Sequence, residues 1–180
     1  MLVVDNFLSQ AECNDIISMG EDKWLPSLSG KGIILEKYRK SKNISPNIHK
    51  GEWLYNITKR CFLKHNIEII ADVLKEVQIL KYEVGDYITK HHDTMGYDVN
   101  GDVLNRYYAL NIILNDDFEG GDFLYYDTNN NPIKIENKSG VGLIFRTNIL
   151  HEVKPVLKGI RYSFTVFLHP DDFKMKTNLF

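Results

Sequence analysis

The sequence predicts a mainly β fold with supporting helices: a double-stranded β-helix, or jelly roll, of about eight strands with N-terminal helices packed on one sheet. Two observations carry that prediction. Beyond residue 75 the chain breaks into short β-rich runs, with polar and apolar residues alternating, separated by turn-forming groups. Before that point apolar residues fall near helical spacing, with loops between them. A chain of 180 residues has room for one domain with a real core, so 1–180 reads as a single domain. Within it, 1–75 is a helical and loop support region and 76–170 the jelly-roll core.

After an extended start over 2–7, Ser9-Gln10-Ala11-Glu12 has the form of a capping box, and a half-buried support helix over 10–19 follows. The stretch 25–47 contains Pro26, Gly30, Gly32, Ser41, Asn43 and Pro46 and is expected to be loops around a short strand over 33–38. A second helix is expected over 50–66, where Trp53, Leu54, Ile57, Cys61 and Leu63 recur near helical spacing. Cys13 and Cys61 fall in these helices without a CxxC spacing, so buried free thiols are expected in preference to a disulfide.

Strands are then expected over 76–82, 87–93, 107–114, 122–126, 132–135, 141–145, 151–155 and 161–168. Asn115-Asp116-Asp117, Asn129-Asn130-Asn131 and Lys138-Ser139-Gly140 supply turns between them. Gly120-Gly121 reads as a positive-φ turn into a strand, not a phosphate cradle. The one long loop, 94–105, is a candidate substrate lid together with 32–47, which includes Arg39, Lys40 and Ser41.

Lys and Arg total 22 against 24 Asp and Glu, with no basic block for a phosphate backbone, which disfavours nucleic acid as a partner. No apolar run approaches the roughly 20 residues that span a bilayer. The N-terminus turns acidic at Asp5, too early for a secretory signal, so the chain reads as intracellular. Oligomeric state is not legible.

Tyr87-Ile88-Thr89-Lys90-His91-His92-Asp93 reads as a strand running into a turn. Side chains two apart on a strand share a face, so His91 and Asp93 converge while His92 points away. His151 opens a later strand that a jelly roll can bring across the barrel mouth. Two imidazoles and one carboxylate cover one face of an octahedral ion and leave three positions open, the arrangement suited to a non-haem Fe(II) oxygenase. An HxD alone also arises by chance among six histidines. His49, His65 and His169 lie outside the pattern and read as surface or structural residues, and the tyrosines and phenylalanines read mostly as core, with Tyr82, Tyr97 and Tyr108 the exceptions.

Ten residues after His151 comes Arg161, with Ser163 on the same side of the last strand. Taken alone, Arg161 reads as half of a salt bridge. Inside the apolar run Tyr162-Ser163-Phe164-Thr165-Val166-Phe167, however, it must be buried and needs a partner, and its planar fork suits a carboxylate. At this point the chain resembles the prolyl 4-hydroxylase-like branch of the 2-oxoglutarate/Fe(II) dioxygenases, over nearly its whole length. Four ordered blocks carry the resemblance: Val4-Asp5-Asn6-Phe7-Leu8-Ser9 with Glu12-Cys13, the run from Gln78 to Tyr87 leading to His91 and Asp93, the run from Leu114 to Phe123, and Leu143-Ile144-Phe145 through His151 to Ser163.

The resemblance implies that His91, Asp93 and His151 bind Fe(II), that Arg161 binds the distal carboxylate of 2-oxoglutarate, that Tyr82 hydrogen-bonds this co-substrate and that Thr165 and Phe167 line its pocket. By strand alternation Asn111, Ile113, Phe123 and Tyr125 face inward with them. The implied reaction is hydroxylation of a peptidyl proline with succinate and CO2 as co-products, and with ascorbate as an auxiliary reductant. Asp93 favours hydroxylation over halogenation, since related halogenases lack the carboxylate. Two positions depart from the family pattern: Ile113 stands where oxygen-sensing relatives have a second co-substrate tyrosine, leaving Ser163 or Asn111 to supply that hydrogen bond, and Ile88 replaces an aromatic residue. The same chemistry on a free amino acid, small metabolite or nucleobase, a non-catalytic jelly-roll module binding a peptide, and a metal-dependent cupin hydrolase or isomerase remain alternatives.

Overall fold

The structure is a computed structural model and describes residues 2–28, 36–97 and 102–176. The described residues are mainly β with two α-helices, and two antiparallel sheets dominate them. The larger runs in the order Leu2–Val4, Gly142–Arg146, Tyr108–Ile113, Arg161–Leu168, Val77–Tyr82, Lys42–Ile44, Leu25–Pro26. The smaller runs Pro132–Lys134, Phe123–Tyr126, His151–Val153, Tyr87–His91, Arg39–Lys40.

The period of two along a strand explains how the larger sheet sits between two apolar layers. Along Arg161–Leu168, Phe167 joins Leu80, Phe145, Phe123 and Val153 in a core shared by the two sheets. Phe164, Val166 and Leu168 face the other way and join Ile79, Leu110, Ile112 and Ile144 in a second core with the helices. Strands buried on both faces read as nearly continuous apolar runs, and Tyr108–Ile113 is buried at all six positions.

Helix α1, Gln10–Ser18, begins with the expected capping box: the Ser9 backbone N–H donates to the Glu12 carboxylate at 2.8 Å, and the Glu12 N–H donates to the Ser9 hydroxyl at 3.3 Å. It buries Cys13 and Ile16 against the outer face of the larger sheet. Helix α2, Trp53–Leu63, buries Leu54, Ile57, Cys61 and Phe62 in the same layer. Complete burial of a side chain such as Ile16 contributes roughly 1.5–3 kcal/mol. Both cysteines are free and buried. The second helix ends earlier than its apolar spacing suggests because Asn66 adopts φ 59°, the left-handed conformation asparagine tolerates. Among the described residues no helix is long and apolar enough to cross a membrane.

Three expectations are corrected. Of the strand expected over 33–38, residues 33–35 lie outside the described residues and 36–38 form a turn. The strands are instead Arg39–Lys40, paired with Tyr87 and Ile88, and Lys42–Ile44, paired with Ile79 to Lys81. Residues 39–44 therefore stitch the two sheets together. They escaped the hydrophobic pattern because their inward side chains, Arg39 and Ser41, satisfy themselves by hydrogen bonds. The 94–105 loop is a hairpin in which Met95–Tyr97 pairs with Val103–Asn105, while 98–101 lie outside the described residues. The strand expected over 151–155 stops at Val153, since Pro155 has no N–H to donate, and a separate strand Val156–Lys158 pairs with Glu119–Gly120.

Candidate active site

His91 is the last residue of its strand, Asp93 follows by two, and His151 is the first residue of the neighbouring strand, directly across from His91 in the register. One ligand atom from each of the three lies within 4.8 Å of the others. His92 is exposed, as strand alternation requires. The Phe123 ring stacks on His151 at 5.3 Å between centroids, and Phe145 meets it edge-on at 5.1 Å, which fixes the imidazole plane.

Hydrogen bonding decides what these groups can hold. Nδ1 of His91 lies 2.7 Å from the Thr89 carbonyl, and Nδ1 of His151 lies 2.9 Å from the Ile149 carbonyl. A carbonyl only accepts, so each Nδ1 carries a proton, which leaves Nε2 as the nitrogen that can hold a metal. Those Nε2 atoms stand 3.4 Å and 3.2 Å from the two oxygens of Asp93. Without a metal each Nε2 is satisfied as an N–H donor to the carboxylate, and a divalent metal takes the place of those protons and satisfies all three groups at once. Burial alone would push the Asp93 carboxyl upward, but the facing imidazoles hold it well below the usual carboxylate range. Asp93 raises His151 in turn, against its burial.

A second unsatisfied group lies at the Arg161 end of the same barrel. Arg161 is 0% exposed, and none of its three guanidinium nitrogens has a hydrogen-bond partner among the described residues. Its guanidinium carbon lies 5.1 Å from the centre of the Tyr82 ring. Gly121 makes room for its stem: at φ +60° this residue adopts the left-handed conformation, and a Cβ there would stand 2.9 Å from Cδ of Arg161. The Ser163 hydroxyl and Oδ1 of Asn111 are likewise buried without partners, while Nδ2 of Asn111 donates to the Thr165 hydroxyl at 2.7 Å. An uncompensated buried cation is strongly destabilising unless an anion arrives. The chemistry of this cradle fits a carboxylate, and with the donor set above it fits a dicarboxylate co-substrate beside a metal.

The residues expected to share the site largely do so. Tyr82, Asn111, Phe123, Thr165 and Phe167 line one pocket with His91, Asp93 and His151; Arg161 and Ser163 are not among its lining, though Arg161 sits over the ring of Tyr82, which is. Ile113 faces inward but sits in the apolar core behind the pocket, and Tyr125 packs half-buried against that core. Tyr108 is a correction: it faces the helical layer, against Phe173, because its place in the strand is out of phase with Asn111. Only the backbone of Tyr97 is described. Arg39, Gln78 and Phe145 also line the pocket and were not assigned to it from the sequence. Gln78 was legible in principle, as the polar residue between apolar Val77 and Ile79.

A mononuclear non-haem metal centre inside a paired-sheet barrel, with a cation buried beyond it, defines the class as a dicarboxylate-using oxygenase. The sequence profile of the 2OG-Fe(II) oxygenase superfamily matches residues 77–169, just over half of the chain, and the chain belongs to that superfamily. It is a 2-oxoglutarate/Fe(II)-dependent dioxygenase of prolyl hydroxylase-like fold. Among solved structures it is similar to a prolyl hydroxylase from Trichoplax adhaerens, in complex with a hypoxia-inducible factor peptide fragment, at TM-score 0.75 and 18% identity, covering 94% of this chain and 83% of that one. A Pseudomonas putida prolyl-4-hydroxylase matches at TM-score 0.65 and 15% identity, covering 98% and 92%. A viral collagen prolyl hydroxylase from Paramecium bursaria Chlorella virus 1, in its 2OG complex, matches at TM-score 0.65 and 23% identity, covering 92% and 93%. These likenesses concern the fold. No curated protein matches by sequence.

Proposed function

We propose that residues 1–180 form one catalytic domain that hydroxylates an unactivated C–H bond, with peptidyl proline as the substrate. In this reading the jelly roll comprises eight strands, the four from Val77–Tyr82, Tyr108–Ile113, Gly142–Arg146 and Arg161–Leu168 facing the four from Tyr87–His91, Phe123–Tyr126, Pro132–Lys134 and His151–Val153, with the helices on its outer face. His91, Asp93 and His151 hold Fe(II), and Arg161 receives the distal carboxylate of 2-oxoglutarate. The observation that carries the proposal is the fully buried, unpartnered guanidinium of Arg161 in the same barrel as the His-Asp-His cluster.

Fe(II) held by His91, Asp93 and His151 would activate O2, the oxidant, with 2-oxoglutarate as co-reductant: one oxygen atom would go into succinate as CO2 leaves, and the other into the C–H bond. The protein's share is orientation and exclusion of water. Arg161, assisted by Ser163 and by Tyr82, fixes the co-substrate's far end with charge-assisted hydrogen bonds. The Nδ1 protons of His91 and His151 stay on backbone carbonyls and keep both Nε2 lone pairs directed at the metal. Phe123, Phe145 and Phe167 keep the reacting volume apolar. The fold likeness to three prolyl hydroxylases supports the choice of substrate.

The test is mass spectrometry of proline-containing peptides after incubation with Fe(II), 2-oxoglutarate and O2. One added oxygen on proline, matched by succinate, is the expected result. Succinate without oxidised peptide across a broad peptide panel would move the substrate elsewhere while leaving the chemistry.

A further inference from the structure

Apart from Arg161, already assigned to the co-substrate, Arg39 differs from every other described arginine in where its charge is placed. Arg60 pairs with Glu12 and Arg106 with Glu76, while Arg146 lies outside the pocket, stacked on Tyr107. Arg39, half-buried, lines the pocket beside His91 and Asp93, yet makes no ion pair among the described residues. Its partners are neutral: Nε donates to the Ser41 hydroxyl at 3.0 Å, and one terminal nitrogen donates to the Gln78 carboxamide at 3.3 Å. Ser41 is itself held by the Ser27 hydroxyl at 2.9 Å. The guanidinium is thus braced by hydroxyls and an amide that orient its plane without neutralising it, and the other terminal nitrogen has no partner among the described residues. A permanent cation that makes no ion pair among the described residues, with the Asp93 carboxylate of the metal site acting on it only through space, is arranged to receive an anion.

In the reading above the anion is not 2-oxoglutarate, whose distal carboxylate goes to Arg161 and whose other end goes to the metal. We propose that Arg39 is a specificity-determining residue that binds a carboxylate of the substrate, so that the molecule oxidised is an amino acid or peptide with a carboxylate close to the target carbon. This rests on the assignment of His91, Asp93, His151 and Arg161. Two sources present the same chemistry: the α-carboxylate of a free amino acid, and the side chain of an acidic residue next to proline in a peptide.

The experiment is calorimetric titration of the whole protein loaded with Mn(II), which binds such donor sets without turnover. 2-Oxoglutarate is titrated first, then each of four ligands into the complex: L-proline against L-prolinamide, and terminally blocked Gly-Pro-Glu against Gly-Pro-Gln. The carboxylate member of one pair is expected to bind at least about tenfold more tightly than its amide, and the pair that shows the difference identifies the source. Arg39→Gln brings that ratio to within about twofold, with 2-oxoglutarate affinity retained. Equal affinities within both pairs, or no binding of any of the four while 2-oxoglutarate binds, overturns the proposal in the wild-type protein alone, however the variant folds. A loss of 2-oxoglutarate affinity in a folded Arg39→Gln protein also overturns it, by assigning Arg39 to the co-substrate. Failure of 2-oxoglutarate to bind the wild type in the first titration is a separate result, which removes the underlying assignment.

Discussion

At Arg161 a permanent charge is buried with no protein hydrogen-bond partner among the described residues, so its desolvation is offset most fully when an anion binds. Arg161→Met is therefore expected to raise the thermal midpoint of the ligand-free protein or leave it unchanged, and to abolish the stabilisation that 2-oxoglutarate gives the wild type. For the wild type at a hundredfold excess over Kd that stabilisation is about 2.7 kcal/mol; differential scanning calorimetry with and without co-substrate reads both. Gly121→Ala acts on the same charge from behind, because a Cβ would press on Cδ of Arg161. Its 2-oxoglutarate half-saturation should rise about tenfold or more while metal content stays at one per chain, and an unchanged value would mean that the cradle is loose. The arginine was legible from the sequence as a charge inside an apolar strand, but Arg39 was not, since nothing in Tyr38-Arg39-Lys40-Ser41 distinguishes a pocket residue from a solvated one.

Elements were legible where one physical rule dominated. The capping box of α1 and the out-of-phase faces of Arg161–Leu168 follow from local chemistry and strand period, and both are found in the structure. Ser9→Ala should cost about 1 kcal/mol in urea unfolding by removing the cap. The polar stitch at 39–44 and the hairpin at 95–105 were not legible, because their pairing is set by tertiary contacts and not by alternation. That hairpin is clamped where three elements meet: Glu76 accepts from Arg106 at 2.8 Å and lies 3.1 Å from Nε2 of His169, whose Nδ1 lies 3.1 Å from the Asn105 carbonyl. Both ring nitrogens of His169 face acceptors, so the imidazolium is the form that satisfies them, and the Glu76 hydrogen bond holds its pKa above the usual value. A folded-state pKa above the unfolded value of about 6.5 gives stability that is full below that pH and lost as pH rises through the folded value. The thermal midpoint of the wild type should accordingly fall between about pH 6 and pH 9 more than that of His169→Gln; parallel curves would show that this contact contributes nothing.

For the whole molecule, the fold brings residues dozens of positions apart to one centre, and periodicity alone could not establish that closure. His91 and Asp93 share a face by spacing and His151 meets them because its strand pairs beside theirs in the smaller sheet, whereas Arg161, on the larger sheet, comes into the same barrel only because the two sheets pack together. The sequence reading crossed that gap by family resemblance, and the profile match over 77–169 supports it. The substrate is a different matter: one fold and one metal chemistry serve many targets, and what discriminates among them lies in single pocket residues such as Arg39. The central claim, one metal centre with Asp93 as its carboxylate ligand, is tested most directly by measuring O2-dependent conversion of 2-oxoglutarate to succinate by the wild type and by Asp93→Ala, each with its iron content determined. The account predicts succinate from the wild type and at least about a hundredfold less from the variant; turnover at the wild-type rate by folded Asp93→Ala would contradict it.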